Sequence, residues 1–178
     1  MDISADDSPV WIGSSENTNL GELWVAVSAR GLVAVDFPAD HEAFVDYLHR
    51  RGFQTIVQDD QRVRSALTQI AEYVRGERRE FDLAIDWSHM GSFQEQVLRF
   101  TFAIPYGQTF TYGEIARRLA RPQAARAVGR AQATNPMPLV IPCHRVLGSD
   151  GKLHGYGAGK GLETKAWLLH MEADNLPE

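Results

Sequence analysis

Residues 111–134, TYGEIARRLARPQAARAVGRAQAT, read as two short helices in tandem. Thr111 followed three residues later by Glu114 is a capping-box pattern, so a helix is expected over residues 112–120. Pro122 has its φ fixed near the helical value and lacks the amide that a first turn leaves unpaired, which places a second helix over residues 122–134. With Arg117 and Arg118 on the first and Arg126 and Arg130 on the second, the pair reads as a helix-turn-helix, or more plainly as a helical hairpin. Just upstream, Ser92 and Glu95 repeat the capping-box spacing and open a helix carrying Phe93, Val97, Leu98 and Phe102, which stops before Pro105. Downstream, Leu139-Val140-Ile141 reads as a short strand running into Pro142, and residues 162–173 as a last helix.

Nearer the N-terminus the period changes. The apolar runs Leu23-Trp24-Val25-Ala26-Val27 and Leu32-Val33-Ala34-Val35-Asp36-Phe37 are separated by Ser28-Ala29-Arg30-Gly31, where Gly31 supplies the positive φ of a tight turn. They predict an antiparallel hairpin. Phe44, Val45, Tyr47 and Leu48 recur at helical spacing over residues 41–51, and Val63, Leu67, Ile70, Ala71 and Val74 do so up to Gly76. The expected class is α+β: a small N-terminal antiparallel sheet with helices over residues 1–90, then a mainly helical domain containing the helix-turn-helix over 91–178. The division is set near Met90-Gly91, where the charge changes sign. Residues 1–90 hold 16 acids and 8 bases, whereas residues 91–178 hold 7 acids and 10 bases.

The 178 residues, 44% hydrophobic and 23% charged, are enough to bury roughly two-thirds of the unfolded surface. That composition excludes disordered, collagenous and disulfide-rich classes. No apolar stretch approaches the ~20 residues of a membrane span. The start, Met1-Asp2-Ile3-Ser4-Ala5-Asp6-Asp7, is acidic where a signal peptide is basic, so the cell interior is expected: cytoplasm, or nucleus in a eukaryotic source. Net charge is −5, yet residues 91–155 carry eight bases against three acids. That stretch suits local docking of a polyanion, or is simply a solvated helical face.

The lone cysteine, Cys143, excludes an internal disulfide and argues against a cysteine-based zinc site. It is either a small buried hydrophobe or a reagent. His144 follows it, but neighbours on an extended chain point to opposite sides, so adjacency alone proves little. Glu172 follows Leu168 and Leu169 by four and three residues, which sets its carboxylate on or beside the apolar face of the last helix. It either holds one nitrogen of His144, whose other nitrogen then faces Cys143, or lies in an exposed last turn.

Ile141-Pro142-Cys143-His144-Arg145-Val146 resembles the active-site signature of the O6-alkylguanine-DNA alkyltransferases, the methylated-DNA-protein-cysteine methyltransferases. Further motifs occur in that family's order: Ile104-Pro105-Tyr106-Gly107-Gln108-Thr109, Thr111-Tyr112-Gly113-Glu114-Ile115-Ala116, Ala125-Arg126-Ala127-Val128-Gly129, Asn135-Pro136, Gly155-Tyr156-Gly157, and the stretch from Lys165 to Glu172. The resemblance covers roughly residues 91–173, while the N-terminal part is similar in size and pattern only.

It implies a single irreversible transfer of an alkyl group from O6 of guanine in double-stranded DNA to Cys143. His144 relays the thiol proton through water, Glu172 orients His144, Asn135 holds the cysteine segment, and Tyr112 donates toward the departing guanine. The nucleotide is rotated out of the duplex. Arg126 fills its place, and a recognition helix with Ala125, Ala127 and Gly129 approaches the minor groove. Pro138, Val146, Tyr156 and Gly157 line the guanine pocket, whose glycine-rich loop suits alkyl groups of more than one size. No metal or other cofactor, no membrane and a monomer are expected. The family includes non-catalytic relatives with tryptophan at the cysteine position, and Cys143 marks this chain as competent. The competing readings are a helix-turn-helix protein that recognises alkylated bases without chemistry and a cysteine hydrolase.

Ionising the thiol is not a sufficient mechanism. Lowering its pKa from ~8.5 to ~5.5 raises the thiolate fraction at neutral pH roughly 30-fold, but a Brønsted slope of ~0.45 removes roughly 20-fold in nucleophilicity. The rate must come from alignment of sulfur with the alkyl carbon and from assistance to the leaving guanine.

Overall fold

Within the first unit, β1 (Val10–Ser15), β2 (Leu23–Ser28) and β3 (Gly31–Asp36) form an antiparallel meander in the computed structural model, which describes residues 8–16, 18–37 and 39–176. The acidic start at residues 1–7 lies outside them. Gly31 has φ +140, and a Cβ there would collide with the carbonyl oxygen of Ala84. α1 (His41–Arg50) opens at Asp40, whose carboxylate accepts from the amide of Ala43 at 2.8 Å. A short β4 (Ile56–Gln58) then pairs parallel to β1. α2 (Asp60–Val74) opens at Asp59, which accepts from the amides of Gln61 and Arg62. The sheet order is β3-β2-β1-β4, so the antiparallel strands gain a parallel edge and the sheet is mixed.

Leu23, Trp24, Val25 and Ala26 are all buried, which a strand permits only when both of its faces are covered. Trp24 and Ala26 pack with Phe44 and Leu48 of α1, while α2 packs on β1 and β2.

The chain divides between His89 and Met90 into two compact units. The second contains α3 (Ser92–Phe102), β5 (Phe110–Thr111), α4 (Tyr112–Arg118), α5 (Ala125–Ala133), β6 (Val146–Leu147) and α6 (Leu162–Asp174). β5 and β6 pair in parallel. Val97, Ile104, Ile115, Ala116, Val128, Ala131 and Val146 form its core and lock α3, α4 and α5 together. The capping box at Thr111 is complete: its hydroxyl accepts from the Glu114 amide at 3.1 Å, and the Glu114 carboxylate accepts from the Thr111 amide at 2.7 Å.

Three local expectations are corrected. Ser92 does not cap α3; extended Gly91 is the N-cap, so Ser92 is already helical and Glu95 instead pairs with Arg99 at 2.8 Å. Pro122 does not open α5, which starts at Ala125. Ala120 takes φ +56, and a turn closes from the Ala124 amide to the Arg121 carbonyl at 2.9 Å before the helix begins. Leu139-Val140-Ile141 is not a strand but a buried turn, closed by the Ile141 amide on the Met137 carbonyl at 2.8 Å.

Candidate active site

Asn135, just past α5, shapes that turn. Its Oδ1 accepts from the Met137 amide at 3.0 Å and its Nδ2 donates to the Ile141 carbonyl at 2.8 Å. Between them Leu139 is held at φ +74, a conformation that costs a non-glycine residue roughly 1–2 kcal/mol, offset here by complete burial of its side chain. Pro142 then leads into a single 3-10 turn, Cys143–Arg145. With three residues per turn, successive side chains point about 120° apart. Cys143, His144 and Arg145 therefore serve three directions, which an extended reading of the segment misses.

Cys143 keeps 7% of its surface exposed, and His144 none. Burial pushes the Cys143 thiol up, opposed by the Asn135 side chain, the charge of Lys165 and the local amides. The resting sulfur is a thiol. Around it stand Tyr112, Tyr156 and Lys165, each close enough to interact with the charge of a thiolate at that position.

His144 and Arg145 both turn to Glu172, which is 1% exposed near the end of α6. The His144 Nε2 lies 2.8 Å from its Oε1, Arg145 approaches it through Nη2 at 2.8 Å and Nε at 3.0 Å, and the Gly107 amide donates to Oε2 at 3.0 Å. Arg145 also donates through Nη1 to the Ile104 carbonyl at 2.5 Å. Glu172 is buried, which alone would raise its pKa, but the bonds from His144 and Arg145 outweigh this and hold its carboxyl far below the usual range. An ionised carboxylate only accepts, so the His144 Nε2 carries the hydrogen and its Nδ1 offers a lone pair. Burial also pushes the His144 pKa down, against the pull of Glu172, so the ring is neutral at pH 7.

Two turns earlier on the same face of α6, Lys165 is fully buried. Its Nζ donates to the carbonyls of Val146 at 2.6 Å and His154 at 2.9 Å, and burial lowers its pKa to about 8. The Tyr112 hydroxyl donates to the same His154 carbonyl at 3.0 Å. The Tyr156 hydroxyl is buried and has no hydrogen-bond partner among the described residues. Pro138 and Val146 are buried, whereas Gly157 is exposed; a Cβ on Gly157 would come within 3.1 Å of the Ala133 carbonyl at the end of α5.

The structure thus gathers Cys143, His144, Glu172, Asn135, Tyr112 and Tyr156. It sets Arg126 and Ala127 apart, exposed on α5, with Ala125 half-buried and Gly129 close to the Tyr112 ring. Sequence reasoning gave no role to Arg145, Lys165 and the Gly107 amide. The available signal was two charged residues, Lys165 and Glu172, seven apart on the stripe that buries Leu168. Among the described residues, no cluster of three or more His, Cys, Asp or Glu could hold a metal, and no helix is long and apolar enough to cross a membrane.

Residues 92–174 match the family described as 6-O-methylguanine DNA methyltransferase, DNA binding domain, and residues 14–87 match its ribonuclease-like domain. The chain is 47% identical over 112 residues to a methylated-DNA–protein-cysteine methyltransferase of Mycolicibacterium paratuberculosis, an alignment spanning 63% of this chain and 66% of that protein. It is 38% identical over 160 residues to the protein of that name from Methanosarcina barkeri, spanning 88% and 94%. The solved Mycobacterium tuberculosis O6-methylguanine methyltransferase is similar at TM-score 0.78 and 34% identity over 94% of this chain and 95% of that one. The OGT of the same organism in complex with DNA is similar at 0.76 and 33%, over 95% of each.

Proposed function

The chain belongs to the 6-O-methylguanine DNA methyltransferase family, and from that premise we propose that it repairs DNA by moving an alkyl group from O6 of guanine onto Cys143, once per protein molecule. The observation that carries this reading is the buried chain of contacts from the Cys143 turn through His144 to Glu172 and Arg145. As the sulfur–carbon bond forms, the carbon–O6 bond breaks, and the thiol proton passes through a water to the Nδ1 of neutral His144. By binding Nε2, Glu172 orients the ring so that Nδ1 is the proton acceptor. Because Arg145 offsets the carboxylate charge, His144 is an uncharged base at rest and gains a stabilising anion when it becomes imidazolium. Asn135 fixes the turn that aims the sulfur.

Tyr112 donates to the guanine ring so that the base leaves neutral, and a proton returned from His144 completes the balance. The hydroxyl must first release the His154 carbonyl, which stays satisfied by Lys165. Pro138, Val146, Tyr156 and Gly157 receive the everted base, and the buried Tyr156 hydroxyl offers it an unused polar contact. Arg126, with Ala125, Ala127 and Gly129 beside it on α5, enters the minor groove of double-stranded DNA and occupies the gap in the stack. The protein acts as a monomer in the cell interior and needs no cofactor.

The test is intact mass after incubation with duplex DNA containing O6-methylguanine. One methyl group is gained, the gain is lost in Cys143→Ala, and transfer stops at one equivalent. Binding without any gain in mass would make the protein a non-catalytic reader of alkylated bases, and continued turnover would make it a hydrolase.

A further inference from the structure

Away from Cys143, α5 and the first turn of α3 enclose a cleft of about 480 Å3. Its apolar lining residues are Phe93, Ala127 and Ala131, and its charged ones are Arg126 and Arg130. No acid lines it. Both arginines are exposed and lack an ion-pair partner among the described residues. They lie one turn apart on α5, where like charges repel, a cost that a bound anion relieves. The wall is fixed in advance. The Gln94 Nε2 donates to the Thr134 carbonyl at 3.0 Å and to its Oγ1 at 2.9 Å, and the Thr134 hydroxyl donates to the Arg130 carbonyl at 3.0 Å.

A cleft lined by apolar and cationic residues together fits the wall of a minor groove, whose deoxyribose faces are apolar and whose phosphates are anionic. Resting on the assignment of α5 to the DNA-binding face, we infer that this cleft is a second DNA subsite, holding one phosphodiester and its deoxyribose beside the reacting nucleotide, with Arg130 on the phosphate. Arg126 belongs to the gap in the stack. Arg130 therefore adds affinity without reading sequence.

The test is anisotropy of a labelled, unmethylated duplex bound by the full chain and by Arg130→Ala, an exposed substitution. One phosphate contact contributes a slope of about −0.9 to a plot of log affinity against log salt, so between 50 and 200 mM salt the wild type loses about 3.5-fold more affinity than the variant. A single neutral methylphosphonate walked along the duplex weakens wild-type binding at one linkage or two adjacent ones, and there leaves Arg130→Ala unaffected. Parallel salt plots, or losses at every linkage that simply add to the loss from the variant, overturn the subsite. Failure of the wild type to gain methyl mass from methylated DNA overturns the alkyl-transfer reading instead, and that assay is separate.

Discussion

At Glu172 four N–H groups, from His144, Arg145 twice and Gly107, converge on one carboxylate inside the second unit. Removing one partner of such a buried pair typically costs about 3–5 kcal/mol, because the other charge is left uncompensated. Glu172→Gln is therefore expected to lose stability of that order in urea unfolding, with Arg145 the stranded charge; a loss below about 1 kcal/mol would mean that Arg145 finds solvent, as surface pairs do. Tyr112→Phe separates stability from chemistry. The His154 carbonyl keeps its bond from Lys165, so the unfolding midpoint is expected to change little, while the single-turnover transfer rate falls on the order of 10²-fold, the low end for loss of a positioned proton donor. Rapid-quench transfer from methylated duplex measures it. An unchanged rate would restrict Tyr112 to packing.

Among the helices, α3 and α4 carry the same capping signature in sequence and differ in what they do with it. At α4 the Thr111 hydroxyl and the Glu114 side chain exchange hydrogen bonds; at α3 the corresponding Ser92 is one residue inside the helix. Thr111→Ala is expected to cost about 1 kcal/mol, whereas Ser92→Ala stays within about 0.5 kcal/mol. Paired chemical melts of the two variants check this, and equal losses would contradict the cap assignment. The difference was not legible locally, because Gly91 adopts the N-cap conformation as readily as serine does. α5 shows a related limit. Its proline start was a sound local expectation, but the left-handed Ala120 lets the chain turn early, and four further residues are used before Ala125 begins the helix.

Across the whole molecule, the pH dependence of stability follows from groups whose burial changes their proton affinity. His144 and Glu172 both have folded pKa values below their free ones, so below about pH 6.5 the unfolded chain binds more protons and stability falls with acidification. The loss begins with His144 and continues through the carboxylate range. Lys165, lowered to about 8, acts with the same sign at the alkaline end, its contribution rising with pH from about 8 to about 10.5. Urea unfolding at pH 7 and pH 4.5 is expected to show the acid loss, and a flat profile would refute it. The hairpin around Gly31, the apolar stripes of α1, α2 and α6, the class of the fold and the order of motifs around Cys143 were determined by the sequence itself, because period, turn chemistry and residue type act over a few neighbours. β1 and β4 were not legible, since Gly13-Ser14-Ser15 and a three-residue edge have little strand preference and are ordered by pairing across the sheet. Only tertiary structure decided that Leu139-Val140-Ile141 is a turn, that Arg145 and Lys165 point inward, and that Glu172 is ionised beside a neutral His144. Each of these depends on partners 6 to 65 residues away, such as Asn135 for Ile141 and Gly107 for Glu172, which compensate a strained backbone or a buried charge.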